Sequence, residues 1–382
     1  MNSRLKILAD ENIPALDALF ADIGEIRRLP GRKLSAADVA DSDILLVRSI
    51  TRVDEPLLSD SRVGFVGTAT IGTDHLDTQW LDRRGVRWCS APGCNADAVV
   101  EYVLSALWHL CAQHGVDPLT RTVGVVGAGN VGGRLVSRLR ALGLEVLVSD
   151  PPRAEREGHE GFVELEELLS RSDLVALHTP LVDDGPYPTR HLLNEGNLEL
   201  LKPGAVLLNA GRGPVIDNWA LIQFMRRRSD VHLVLDVWEE EPLVLPELAE
   251  QCVIATPHIA GYSLDGKIRG AWMLYREVCQ WLGREVSITL ESVLPKPEIE
   301  MLGCSGSVDP LKPIALTYDP YRDDRALRET LYLDPEERML AFDRLRKHYP
   351  VRREFSSLQI MGLENKQQAE LLLKLGFNVV MA

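Results

Sequence analysis

The segment VGVVGAGNVGGRL, residues 123–135, constrains what this 382-residue chain can fold into more than any other. An apolar run ends at Gly127, Gly129 and Gly132, spaced G-x-G-x-x-G, and a helical pattern follows. Each glycine answers a steric demand: a tight strand-to-helix turn, close approach of a ligand to backbone, and close packing of helix on strand. The free N–H groups at the start of such a helix, with the helix dipole behind them, favour a pyrophosphate. A second apolar run, LEVLVSD, ends at Asp150, about 20 residues beyond the glycines. A carboxylate there accepts hydrogen bonds from ribose hydroxyls and repels a 2′-phosphate, so the pattern predicts NAD rather than NADP. Arg153 keeps NADP open, and Asp150, standing before Pro151 and Pro152, has an alternative use as a turn acid.

Around this fingerprint the chain alternates short apolar runs with helix-length segments, the mark of buried parallel strands. LKILAD, DILLVRS, VGFVGTAT and VRWCSAP form one such series before residue 97. A long helix is expected from Asp97, closing near Gly115. SDLVALHTP, GAVLLNAGRG, VHLVLDVW and CVIATPHIAG continue the series begun at the glycine segment. The prediction is an α/β protein with two Rossmann-like, doubly wound parallel sheets. Residues 1–96, completed by a helix within about 263–285, form a first, lid-like domain; 97–262 form the NAD-binding domain. The Pro-containing stretch VLPKPEIEMLGCSG marks a boundary, after which 286–382 are expected as a small α+β domain with a structural or subunit-contact role.

Charge and cysteine content narrow the function. A net charge of −14 argues against nucleic acid or an anionic membrane as a general partner, so an anionic substrate needs a local basic pocket. No run is long and apolar enough to span a bilayer, and the first residues lack the pattern of a signal or transit peptide. Six scattered cysteines without metal-ligand spacing fit reduced thiols in the cytoplasm and predict no metal.

Three later strand ends carry reactive side chains: Arg212 in NAGRG, Glu241 in LDVWEEEP and His258 in TPHIAG. In a doubly wound sheet these ends converge on one crevice. Taken singly, each has ordinary uses in a turn or on a solvated surface, and Glu239 and Glu240 rival Glu241. Together, over roughly residues 5–285, the motifs GAGNVG, HTPL, LKPGAVLLNAGRG, LDVWEEEP and TPHIAG resemble, in order, those of the D-2-hydroxyacid dehydrogenases.

The resemblance implies that Arg212 holds the substrate carboxylate and polarises the C2 oxygen, since a guanidinium grips oxygens bidentately and stays charged. His258 becomes the general base for oxidation, and Glu241 orients it. The cofactor set implied is Gly127, Gly129, Asn130, Val131, Gly132, Asp150, Thr179, Ala210, Gly211, Arg212, Asp236 and Gly261, with Asp236 near the nicotinamide amide. Arg48, Ser49 and Thr70 fall where the family's substrate loops lie, and the Tyr262 hydroxyl would reach a more distant group such as a phosphate. The implied activity is NAD-dependent oxidation of a small phosphorylated 2-hydroxy acid by a homodimer joined through its carboxyl-terminal domain. Arg352 and Arg353 have an alternative use, binding phosphate across that dimer. Other hydroxy acids, 3-phosphoglycerate among them, and an NAD-sensing, corepressor-like binding protein remain open readings.

Overall fold

The computed structural model describes residues 4–382, which divide into two compact units. The first holds the residues up to Asn95 together with Ser263–Lys296. Its strands are β1 (Leu5–Asp10), β2 (Gly24–Leu29), β3 (Ile44–Val47), β4 (Phe65–Thr68) and β5 (Arg87–Cys89), ordered β2-β1-β3-β4-β5 and all parallel. Every residue of β3 and β4 is buried, as expected of a sheet covered on both faces. One cover is the helix Leu264–Trp281, started by Ser263, whose side chain accepts the Gly266 N–H. Its Ala271, Leu274, Tyr275 and Val278 share a core with Leu19, Phe20, Ile44 and Phe65.

The second unit holds Ala96–Tyr262 and Pro297–Ala382. Its main sheet comprises β6 (Thr122–Val126), β7 (Glu145–Ser149), β8 (Leu174–Leu177), β9 (Val206–Asn209), β10 (His232–Leu235) and β11 (Cys252–Ala255). The order is β11-β10-β9-β8-β6-β7, all parallel, so the order reverses between β6 and β8. In open α/β sheets that reversal opens a crevice beyond the strand carboxyl ends, where ligands bind.

The segment from 286 does not form a core of its own. Residues 286–296 lie with the first unit and 297–382 with the second. Its strands β12 (Met301–Gly306), β13 (Gln359–Leu363) and β14 (Asn378–Met381) make a small parallel sheet, β13 and β14 being joined through the helix Lys366–Leu375. Phe355, Ile360, Leu372 and Phe377 pack into the cluster that contains Val123, Leu135 and Ile254. The helix Ala96–Gln113 belongs to this cluster, and 14 of its 18 residues are buried, which explains an apolar surface on nearly all sides. Among the described residues no helix is long and apolar enough to cross a membrane, and all six cysteines are free.

Candidate active site

The glycine loop lies at the strand-order reversal. Gly127 leaves β6 with φ of +82°, a left-handed conformation that side chains resist, and a Cβ on Gly132 would lie 1.9 Å from the Gly127 carbonyl oxygen. Across the reversal, a Cβ on Gly127 would meet the Thr179 backbone nitrogen at 2.9 Å, so the loops after β6 and β8 are in contact. The helix Asn130–Leu142 starts at Gly129 with no side chain capping its first turn, and space beside Gly129 is open. Thr179 Oγ1 is buried there without a hydrogen-bond partner, and neither ring nitrogen of His178 has one. An uncapped helix start and orphaned buried polar atoms beside it fit a dinucleotide, which would supply the missing partners.

Asp150 is where the fingerprint requires it, at the end of β7, but its oxygens already have work. Oδ2 accepts the Ala128 N–H at 2.7 Å and Oδ1 the Arg153 N–H at 3.0 Å. The carboxylate therefore ties the glycine loop to the start of the next helix, and its remaining lone pairs are those left for a ribose. Arg153 is committed as well: Nε and Nη2 donate to Glu157 at 2.8 and 2.6 Å, and Nη1 to the Ala128 carbonyl at 2.6 Å.

Arg212 occupies the turn after β9. Buried Asn209 shapes that turn, accepting the Gly211 N–H at 3.0 Å and donating to the Arg212 carbonyl at 2.9 Å. Ala210, Gly211 and Arg212 are half-buried, and Arg212 Nη1 donates to the Gly211 carbonyl at 3.0 Å. A Cβ on Gly213 would meet the Trp238 carbonyl at 2.0 Å, so only glycine lets this turn lie against the loop that carries Glu241.

Glu241 and His258 are joined. Glu241 Oε2 lies 2.7 Å from His258 Nδ1, and Oε1 accepts the Trp238 N–H at 2.8 Å. Burial raises the Glu241 carboxyl, but the charge and hydrogen bond of His258, the Trp238 N–H and the charge of Arg346 outweigh it, leaving the group below the usual glutamate value. With Nδ1 turned to the carboxylate, Nε2 is the ring atom left to exchange a proton. His258 has φ of +56°, and its N–H donates to the Asp236 carbonyl at 2.7 Å. The rival Glu239 points elsewhere, pairing with His191 Nε2 at 2.5 Å.

Asp236, expected beside the nicotinamide amide, is buried and engaged with protein. Oδ1 accepts from Thr256 Oγ1 at 2.7 Å and the Ile259 N–H at 2.8 Å, and Oδ2 accepts the Ala260 N–H at 2.9 Å. It holds the 256–260 loop, and with it His258. The same loop is held by Arg352, whose Nη1 donates to the Ala260 carbonyl at 3.0 Å and Nη2 to the Ala98 carbonyl at 2.7 Å. Arg352 is 4% exposed with its guanidinium stacked 3.6 Å from the Tyr318 ring centre, so it is an interior brace and not a surface phosphate ligand.

Tyr262 follows Gly261, both half-buried, and its ring meets Tyr349 edge-on at 5.7 Å. Arg346 stands over the same ring at 5.6 Å. Sequence reading missed Arg346, because a basic residue in the charged segment PEERMLAFDRLRKHYP carries no distinguishing signal. In the first unit, Arg48 and Ser49 follow β3 and Thr70 follows β4, at the carboxyl ends of neighbouring strands. Thr70 Oγ1 lies 2.7 Å from Thr68 Oγ1 and donates to the Gly72 carbonyl at 3.2 Å.

A dinucleotide loop, an arginine turn and a carboxylate-held histidine at the strand ends of one sheet define the nicotinamide-dependent dehydrogenases of hydroxy acids. Comparison with known proteins agrees. Residues 97–260 match the model of the D-isomer specific 2-hydroxyacid dehydrogenase NAD binding domain, and 293–376 match a domain of unknown function. An erythronate-4-phosphate dehydrogenase of Pseudomonas entomophila is 52% identical over 98% of this chain and 99% of its own. One from Azotobacter vinelandii is 53% identical over 93% of this chain and 94% of its own. Among solved structures, the TT0316 protein from Thermus thermophilus superposes with a TM-score of 0.62 at 27% identity, covering 74% of this chain and 99% of its own. The chain belongs to the erythronate-4-phosphate dehydrogenase family, a branch of the D-isomer specific 2-hydroxyacid dehydrogenases. It is an NAD-dependent dehydrogenase.

Proposed function

We propose that the chain oxidises 4-phospho-D-erythronate to (R)-3-hydroxy-2-oxo-4-phosphooxybutanoate, a step in pyridoxal 5′-phosphate biosynthesis. The observation that carries the reading is the Glu241–His258 pair at the strand ends of the dinucleotide-binding sheet, in a chain whose near-full-length relatives bear that enzyme's name.

The residues divide the work by their chemistry. The planar, permanently charged guanidinium of Arg212 grips the substrate carboxylate and draws electron density from the C2 oxygen. His258 Nε2 takes the hydroxyl proton as C2 is oxidised and returns it in the reverse direction. Glu241 keeps the ring oriented. When bound, NAD supplies the acceptor for the hydride leaving C2. The Gly127–Gly132 loop, Asp150, Thr179, Ala210, Gly211, Arg212, Asp236 and Gly261 would hold the cofactor. Ser49, Thr70, Arg48 and Tyr262 would contact the substrate.

We place the protein in the cytoplasm, in keeping with its six free thiols, and assign it a homodimer through the carboxyl-terminal segment. Supporting the dimer, Met301, Tyr332, Leu340, Val351 and Leu373 in that segment are exposed apolar side chains. The test is NADH formation with 4-phospho-D-erythronate against 3-phospho-D-glycerate, with a 2-keto acid added in case NADH stays bound. Preference for the four-carbon acid is expected. Preference for the three-carbon acid would overturn the substrate assignment.

A further inference from the structure

The domain of unknown function matched at 293–376 contributes Arg346, from the helix Pro335–Lys347, to the surroundings of the Glu241–His258 pair. Its guanidinium carbon lies 5.6 Å over the Tyr262 ring and 5.8 Å over that of Phe342. Its Nε is buried without a hydrogen-bond partner, and no carboxylate among the described residues forms an ion pair with it. A half-buried arginine without a direct ion pair is costly to keep, because desolvation is only partly repaid. Stacking on two rings offsets part of that cost and leaves the donor fork uncommitted. The side chain also lies near enough to Glu241 for its charge to favour that carboxylate.

The chain is acidic overall, so a substrate that carries both a carboxylate and a phosphate needs a concentrated local cation. Arg212 is assigned to the carboxylate end. Arg346 stands beside Tyr262, the residue placed at the far end of the substrate. We propose that Arg346 grips the terminal phosphate of the substrate, which makes the carboxyl-terminal domain part of the substrate site of its own subunit. This rests on the reading that the substrate is a phosphorylated hydroxy acid. A guanidinium fork matches two phosphate oxygens, and the Tyr262 ring supports it, its centre 5.6 Å from the guanidinium carbon.

The experiment compares Arg346→Gln and Arg346→Lys with the wild-type enzyme on 4-phospho-D-erythronate and on unphosphorylated D-erythronate, both with NAD. For Arg346→Gln, the ratio of kcat/KM for the phosphorylated over the unphosphorylated acid falls about 100-fold, carried mainly by KM, as loss of a charge-assisted bidentate contact implies. Arg346→Lys keeps the charge without the fork and recovers about tenfold of that loss. Inorganic phosphate, tested as a competitor of D-erythronate, loses potency in the same order. A ratio within threefold of wild type, with both acids slowed alike, would mean that Arg346 only shapes the Glu241–His258 surroundings, and the proposal would be wrong. If the wild-type enzyme itself shows no preference for the phosphorylated acid, the functional reading fails instead. The phosphate competition series then decides the role of Arg346 on its own: unchanged potency in both variants overturns it. Thermal melting separates either result from misfolding.

Discussion

His258 Nδ1 lies 2.7 Å from Glu241 Oε2, and the other oxygen of that carboxylate is taken by the Trp238 N–H at 2.8 Å. Both carboxylate oxygens are thus fixed, and the imidazole has one orientation to adopt. Burial raises the Glu241 carboxyl, but the His258 charge and hydrogen bond with the other partners hold it down. In Glu241→Gln, an amide replaces the carboxylate that orients the ring, so kcat/KM for oxidation should fall about 10- to 100-fold. Steady-state kinetics check this, and a kcat/KM within about threefold of wild type would remove Glu241 from the proposed mechanism. Because the carboxyl is depressed in the folded state, it stabilises the fold above the ordinary glutamate value, and that contribution is lost as pH falls through the folded value.

Arg352 is buried with two carbonyls and an aromatic ring as partners. Arg352→Met leaves the Ala98 and Ala260 carbonyls short of a donor and strips the cation from beside buried Glu101, whose carboxyl burial already raises well above its ordinary value. The expected loss is about 3–5 kcal/mol of stability, and Arg352→Lys should not restore it, since one ammonium cannot span both carbonyls. Denaturant unfolding measures the loss; a change under about 1 kcal/mol would show that the brace is dispensable.

His178 tests a different consequence of burial, which lowers its imidazole to about 4. The unfolded chain binds that proton near the ordinary histidine value, so the folded state holds fewer protons between the two. Stability from this group is complete above about 6.5 and drains as pH falls toward 4, by about 3 kcal/mol in all. Urea midpoints measured across that window should fall in the wild-type protein and fall less in His178→Asn.

Gly132→Ala sets a Cβ 1.9 Å from the Gly127 carbonyl oxygen. The nearest atoms are Gly127 backbone and cannot swing aside as a flexible side chain would, so the helix Asn130–Leu142 must move off β6 and the pyrophosphate cradle opens. NAD affinity should fall at least tenfold, an energy of about 1.4 kcal/mol, while overall secondary structure by circular dichroism persists. Titration of bound NAD by fluorescence decides.

Cofactor choice follows from Arg153 and Asp150. Because Arg153 is already divided between Glu157 and the Ala128 carbonyl, the protein should prefer NAD to NADP. Asp150→Ser should weaken NAD without making NADP the better cofactor, since the same carboxylate holds the Ala128 and Arg153 N–H groups. Steady-state kinetics with both cofactors would show a reversal if the loop depended on Asp150 less than its contacts imply.

Much of this molecule was legible in order along the chain. The apolar runs placed the strands, and strand ends placed Gly127, Arg212, Glu241 and His258 on one edge, because a parallel sheet sends every carboxyl end the same way. The choice of Glu241 over Glu239 came from motif spacing, and the structure supplies a cause: Glu239 is spent on His191. What spacing could not show was work done across the chain. Asp236 was expected at the cofactor from the family resemblance, and the Ile259 and Ala260 N–H groups, 23 and 24 positions on, show that it also anchors the 256–260 loop. The carboxyl-terminal segment read as a separate domain because its composition changes at a Pro-containing boundary, yet its apolar faces complete the core around Leu135 and Ile254.

By itself, then, the sequence determined whatever depends on local periodicity and steric rules: the two parallel sheets, the dinucleotide loop and the residues offered at its edge. Only the tertiary structure decided that Arg352 braces the histidine loop and that Arg346 stands over Tyr262. The partners of Arg352 lie 92 and 254 positions away, and nothing in the composition of a charged helix distinguishes an arginine facing solvent from one turned inward. The difference is made by packing, which brings together groups that no local pattern relates.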